Sequence, residues 1–153
     1  MISKIISGGQ TGVDRAALDF AIKNNIAHSG FCPKGRRSED GIIPDKYNLT
    51  ETDSPDYLTR TAMNVKNSDG TLIITRGNPE GGTRETINLC IRNNKPKFII
   101  SSEHKFRTQE FFYWVKENNI ATLNVAGPRE SKQPGIARHT NRVLTELFTA
   151  LAP

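Results

Sequence analysis

Ser7-Gly8-Gly9-Gln10-Thr11-Gly12-Val13-Asp14 decides how the rest of the chain is read. An apolar run, Ile2 to Ile6, leads into it, and a helical pattern from Ala16 to Ile22 leaves it. Gly8, Gly9 and Gly12 let a backbone turn sharply and come close to a neighbour without Cβ interference. Thr11 and Asp14 fit the Ser/Thr-x-x-Asp/Glu capping signature, which predicts a helix beginning near Thr11. A helix start behind a glycine turn aims unpaired N–H groups and a partial positive charge at whatever sits above it. The spacing is that of neither common nucleotide-binding glycine motif. The stretch therefore reads in two ways, as an anion-binding turn or as a tight strand-to-helix connection.

Outward from this turn, apolar strands alternate with helices. The pattern predicts strands at Ile2–Ser7, His28–Cys32, Gly70–Thr75, Lys97–Ser101 and Ala121–Ala126. Ala17, Leu18, Ala21 and Ile22 give the first helix an apolar stripe that stops near Asn24-Asn25. Ser54-Pro55 reads as the cap and first position of a second helix running to about Ser68. Thr83 is placed to cap a third, carrying Ile87, Cys90 and Ile91. Thr108 to Asn118 and Ile136 to Leu151 complete the set, whereas Pro33 to Thr52 has no periodicity. Such alternation predicts one domain over residues 1–153: a three-layer, Rossmann-like α/β/α fold with a mainly parallel five-stranded sheet. Ligands of such sheets sit outside the carboxyl ends of the strands, where strand order reverses.

Four loops are predicted at that edge: Gly8–Asp14, Lys34–Asp45, Arg76–Thr83 and Gly127–Gly135. Basic residues gather in or beside them: Lys34, Arg36, Arg37, Arg76, Arg84, Arg129 and Lys132. The net charge of +5 agrees with an anionic partner. The site predicted from glycines, small polar groups and cations is Gly8, Gly9, Gln10, Thr11, Gly12, Lys34, Gly35, Arg36, Arg37, Arg76, Asn78, Gly81, Gly82, Thr83, Arg129, Ser131 and Lys132. Gly9→Val is expected to weaken ligand retention with the fold intact. Acidic side chains near the edge include Asp14, Glu39, Asp40, Asp45, Glu80, Glu85 and Glu130, with a spacing that requires no acid–base pair. His28, His104 and His139 fall in no catalytic pattern, and no catalytic residue is assigned. Cys32 reads either as a small core residue or as a thiol activated by Lys34 and Arg36. The two cysteines have no metal-ligand spacing, and the chain opens on a strand without an apolar leader. These features predict a cytoplasmic protein with reduced thiols, no membrane partner and no protein-ligated metal. Phe111 to Trp114 sit together in a helix as packing, not as a strip for stacking bases, so nucleic acid is disfavoured.

Several runs carry a likeness to a known family. They are Ile6 to Asp19; Cys32 to Gly41; Ile43-Pro44 with Tyr47, Leu49, Glu51 and Thr52; Arg60-Thr61 with Asn64-Val65; Ser68 to Thr71; Gly81-Gly82-Thr83; and Asn124 to Ser131. Together they resemble the molybdenum (cofactor) carrier family over nearly the whole chain. That family is similar at fold level to the group containing DNA-processing protein A and the Lonely Guy phosphoribohydrolases. The resemblance implies a Rossmann-like domain, homo-oligomeric assembly as a dimer or tetramer, and the molybdenum cofactor as cargo. That cargo is a pyranopterin dithiolene with one phosphate and an oxo-molybdenum centre. The implied work is storage or delivery to molybdoenzymes without turnover, the cargo's own sulfurs holding the metal. The other reading is a nucleoside-monophosphate hydrolase like the Lonely Guy enzymes, or another nucleotide-binding protein. Against the hydrolase, Pro79 to Thr86 lacks the middle glycine of the Pro-Gly-Gly-x-Gly-Thr-x-x-Glu run and does not match its glutamate.

Overall fold

The computed structural model describes residues 1–101 and 107–152. Nine strands and five helices are formed within them. Five strands make the central sheet: β1 (Lys4–Ile6), β2 (Ala27–Ser29), β7 (Gly70–Ile74), β8 (Lys97–Ile100) and β9 (Thr122–Ala126). Their order is β2-β1-β9-β7-β8 and every pairing is parallel. Ile5 sits between His28 and Leu123, and Ile73 pairs with Ile99. Parallel strands need crossovers, which the helices supply. They are α1 (Val13–Lys23), α2 (Tyr57–Lys66), α3 (Gly81–Arg92), α4 (Thr108–Glu117) and α5 (Ile136–Leu151). α1 and α4 pack on α5, while α2 packs on α3, giving a Rossmann-like three-layer domain.

The core follows from this sandwich. Leu72, Ile74, Leu123 and Val125 of the middle strands meet Ala17, Phe111, Val143 and Leu147 of the helices, all fully buried. Val65, Leu89 and Cys90 form a smaller cluster between α2 and α3. The strand read as His28–Cys32 breaks in two at Gly30, which has φ +149. A Cβ there would lie 1.9 Å from the Ser7 carbonyl oxygen, so the chain bends away. Beyond the bend, β3 (Phe31–Cys32) leaves the sheet and pairs with β6 (Thr50–Glu51). Between them lies the hairpin of β4 (Arg37–Ser38) and β5 (Gly41–Ile42). The segment Pro33–Thr52 is therefore built from two-residue strands, too short for any hydrophobic period. It has its own core of Leu18, Cys32, Ile43 and Tyr47.

The helix ends share one chemistry. Asn24, Asn93 and Asn118 each donate a side-chain N–H 2.8 Å to the carbonyl four residues back. Each is followed by an asparagine in the left-handed region: Asn25 (φ 55), Asn94 (φ 50) and Asn119 (φ 51). Asparagine tolerates that conformation better than other residues with a Cβ. The starts differ from the sequence reading. α2 begins at Tyr57, with Asp56 accepting the Leu58 N–H at 3.0 Å, rather than at Ser54-Pro55.

The strand order fixes where a ligand would sit. The chain runs from β1 out to β2, crosses to β7 and β8, and returns to fill the gap with β9. The turns after β1, β9 and β7 thus stand side by side at the carboxyl edge, where the order reverses.

Candidate functional site

The turn after β1 is filled by the protein itself. Gly8, Gly9 and Gly12 are buried, and Gly9 and Gly12 both have φ +79. A Cβ on Gly8 would lie 2.1 Å from Arg60 Nη1, and one on Gly9 2.6 Å from Leu49 Cδ1. On Gly12 it would lie 2.4 Å from the Pro128 carbonyl oxygen. The helix start behind the turn is also engaged. Val13 N–H donates to the Pro128 carbonyl at 3.2 Å, and Arg15 N–H to that of Gln10 at 3.1 Å. Thr11 does not cap α1, whose cap position is Gly12. Its hydroxyl instead bonds Glu39 and accepts the Glu130 N–H at 3.2 Å. Asp14, only 3% exposed, accepts the Gln10 N–H at 3.3 Å and meets Arg60 Nη1 at 3.3 Å. Burial pushes its carboxyl above the ordinary value, against the pull of Arg60.

The basic segment Lys34–Arg37 braces this turn. Arg36 donates to the carbonyls of Ile43 (3.1 Å), Pro44 (2.9 Å) and Tyr47 (3.0 Å), stapling its own loop. Gly35 N–H donates to Glu51 at 2.6 Å, and Lys34 is exposed. The Arg37 carbonyl accepts Gln10 Nε2 at 3.0 Å, and its guanidinium lies 4.8 Å from the centre of the Tyr57 ring. Glu39 reaches over to Thr11 and Ser131, so the hairpin, the turn after β1 and the turn after β9 are fastened together. Cys32 is fully buried, and burial pushes its thiol up more than Arg36 lowers it. It is a core residue, not an activated thiol.

The turn after β7 is different. α3 begins at Gly81 behind Glu80, and Thr83, read as its cap, sends its N–H back to the Glu80 carbonyl at 3.1 Å. Gly81 has φ +51, and among the described residues no atom lies within 4 Å of a Cβ built on Gly81 or Gly82. Both face a cleft of 580 Å³. Buried Gln10 and Asp14 form its floor with Arg60. Tyr57, Glu80 to Thr83, Thr86 and the Ala126–Arg129 turn line its sides with Lys132 and Gln133. Two polar atoms at the floor, Gln10 Oε1 and Arg60 Nε, are buried without a partner among the described residues. Such groups are rare and costly in folded chains.

The structure thus brings Gln10, Gly81, Gly82, Thr83, Arg129 and Lys132 to one cleft. Gly8, Gly9, Thr11 and Gly12 lie behind it, Arg37 and Ser131 brace it, Gly35 and Arg36 fasten their own loop, and Lys34 is exposed. Arg76 donates from Nη1 to the Pro134 carbonyl at 2.8 Å, and Asn78 is exposed; neither lines the cleft. The sequence reading gave no site role to Tyr57, Arg60, Thr86 or Gln133, and treated Asp14 as a cap. Arg60 did stand in one of the quoted runs. So did Asn64, whose part is structural: its side chain bonds both the N–H and the C=O of Phe31, holding α2 to β3.

Among the described residues no group of three or more His, Cys, Asp or Glu could hold a metal ion, and no helix is long and apolar enough to cross a membrane. His28 Nε2 accepts the Asn48 N–H, His139 is buried on α5, and His104 lies outside the described residues.

Comparisons with known proteins agree with this architecture. The model of the circularly permutated YpsA SLOG family matches residues 5–148. The crystal structure of the "Putative molybdenum carrier protein" of Syntrophus aciditrophicus SB is 44% identical, covering 96% of this chain and 94% of that one, with a TM-score of 0.90. No curated protein matches.

Proposed function

We propose for this chain, which belongs to the circularly permutated YpsA SLOG family, the work of a carrier: it binds the molybdenum cofactor in the cleft and hands it on unchanged. The observation that carries this reading is the open turn after β7. Gly82 has no positive φ and, among the described residues, no neighbour that a Cβ would strike, so nothing described in the fold requires glycine there. Glycine inside a helix costs about 0.5–1 kcal/mol against alanine, of which Gly82, the second residue of α3, bears a part. Room for a guest over the first amides of α3 accounts for that cost. Those N–H groups, with Arg129 and Lys132 across the cleft, suit a phosphate. The volume falls within the roughly 300–1,000 Å³ of small-molecule sites. Tyr57 offers a flat wall beside the pterin, and Gln10 Oε1 an acceptor for its N–H groups. The cargo brings its own sulfurs to the metal, so the protein need only seat its ends and exclude water.

A nucleoside monophosphate has the same outline, a phosphate with a flat ring, and Glu80 puts a carboxylate in the same cleft. That keeps hydrolysis of its N-glycosidic bond as the second reading. One preparation separates the two. Protein from a host that makes the cofactor is expected to elute with molybdenum and pterin in equal amounts and to slow the cofactor's decay. Absence of both, with free base released from nucleoside monophosphates, would overturn the carrier reading. Molybdoenzymes are the recipients this reading requires, and light scattering would test assembly as a dimer or tetramer.

A further inference from the structure

Arg60 is held in the cleft in a way the fold alone does not use up. It reaches from α2 to the turn after β1, and Gly8 is the gap that admits it: φ there is not positive, yet a Cβ would lie 2.1 Å from Nη1 and 2.9 Å from Cζ. The side chain is 16% exposed, so the guanidinium is largely withdrawn from water. It carries five N–H donors. One of them, on Nη1, meets Asp14 Oδ2 at 3.3 Å, a long contact on an oxygen that also accepts the Gln10 N–H at 3.3 Å. Nε is buried without a partner, and Nη2 has no acceptor among the described residues. Nε–H and Nη2–H point the same way, and that fork matches two oxygens of one oxyanion. Tyr57, 5.9 Å from Cζ, accepts no hydrogen bond from it. Asp14 is its one ion-pair partner among the described residues, and that single long contact on Nη1 leaves Nε and Nη2 unanswered.

We propose that Arg60 is a second anion-binding pole of the cleft, separate from the start of α3, and that its free fork takes the oxygens of an oxyanion on the guest. The cleft then suits a ligand with negative oxygens at both ends: one set over Gly82 with Arg129 and Lys132, the other at Arg60. This rests on the carrier reading only for the identity of that ligand. For the cofactor, the group at Arg60 is the end away from the phosphate.

The test uses the full chain, titrated separately with sodium molybdate and inorganic phosphate. Calorimetry gives affinity, and nitrogen-15 NMR follows the Arg60 Nε–H signal. A saturable shift of that signal with either anion is expected, and which anion shifts it more identifies the group the pole receives. Arg60→Gln should weaken this binding at least tenfold. Arg60→Lys, which keeps the charge without the fork, should fall between the two. An Nε–H signal unmoved at about 100 times the Kd that calorimetry gives for each anion overturns the proposal, as does parent-like binding by Arg60→Gln. If Arg60→Gln fails to fold, the signal of the unmutated chain decides. Cofactor retained without an Arg60 response would sink this proposal alone. Molybdate bound at Arg60 by a chain that never retains cofactor would sink the carrier reading alone.

Discussion

The turns after β1 and β7 are alike in sequence, each a glycine-rich link from a buried strand to a helix, and unlike in what stands over them. Over the first stand Arg60, Leu49, Ile43 and the Pro128 carbonyl. Over the second, among the described residues, stands open space. A glycine motif tells that something approaches the backbone closely, but not whether that something is the protein or a guest. Here the more conspicuous motif binds its own chain, and the plainer one faces the cleft.

The sharpest break of this comparison is Gly12→Val. Valine at φ +79, with backbone atoms of Pro128 and Glu130 at 2.4 and 2.7 Å, is expected to cost about 3 kcal/mol or more of stability. A urea midpoint close to the parent's would show that the first turn is not sealed. Gly9→Val should also cost stability, through Leu49 and Ile43, in contrast to the expectation from sequence. Gly82→Val should do the reverse: stability within about 1 kcal/mol of the parent, and guest affinity reduced about a hundredfold, or 2.7 kcal/mol. Parent-like affinity in a titration would mean that the second turn holds nothing. Arg129→Ala removes one charged contact, for which about tenfold weaker binding is expected, with a smaller loss at high salt. Salt-independent loss would point to packing instead.

The smallest effect concerns the clasp between the turns. Hydrogen bonds from Ser131 and Thr11 hold the Glu39 carboxyl below its ordinary 4.5. Its contribution is therefore present above that value and fades as pH falls below it. Glu39→Gln should lower the urea midpoint slightly near neutral pH, and the gap to the parent should narrow steadily as pH falls below 4.5. A gap that widens in acid would refute the assignment.

The sheet was legible because each middle strand is a run of apolar residues and each helix has an apolar stripe, signals that need no partner to be read. The alternation at Gly70 to Arg92 is an example. What escaped depends on tertiary neighbours. Thr11 has the residue type of a cap, but Glu39, 28 positions away, claims its hydroxyl. Arg60 looks like any solvated helix arginine until Gly8 is seen to make room for it. Arg36 looks like a ligand-seeking cation, yet its donors are spent on carbonyls of a loop whose two-residue strands carry no period.

The paired asparagines that finish α1, α3 and α4 carry one last implication. Helices antiparallel to the strands end at the margin opposite the cleft, so these caps and the proposed seat occupy separate faces of the domain. Heat tolerance can then drift through exchanges such as asparagine for glycine at one margin while the proposed seat at the other is left untouched, which gives a lineage of such proteins freedom to change habitat and ligand independently.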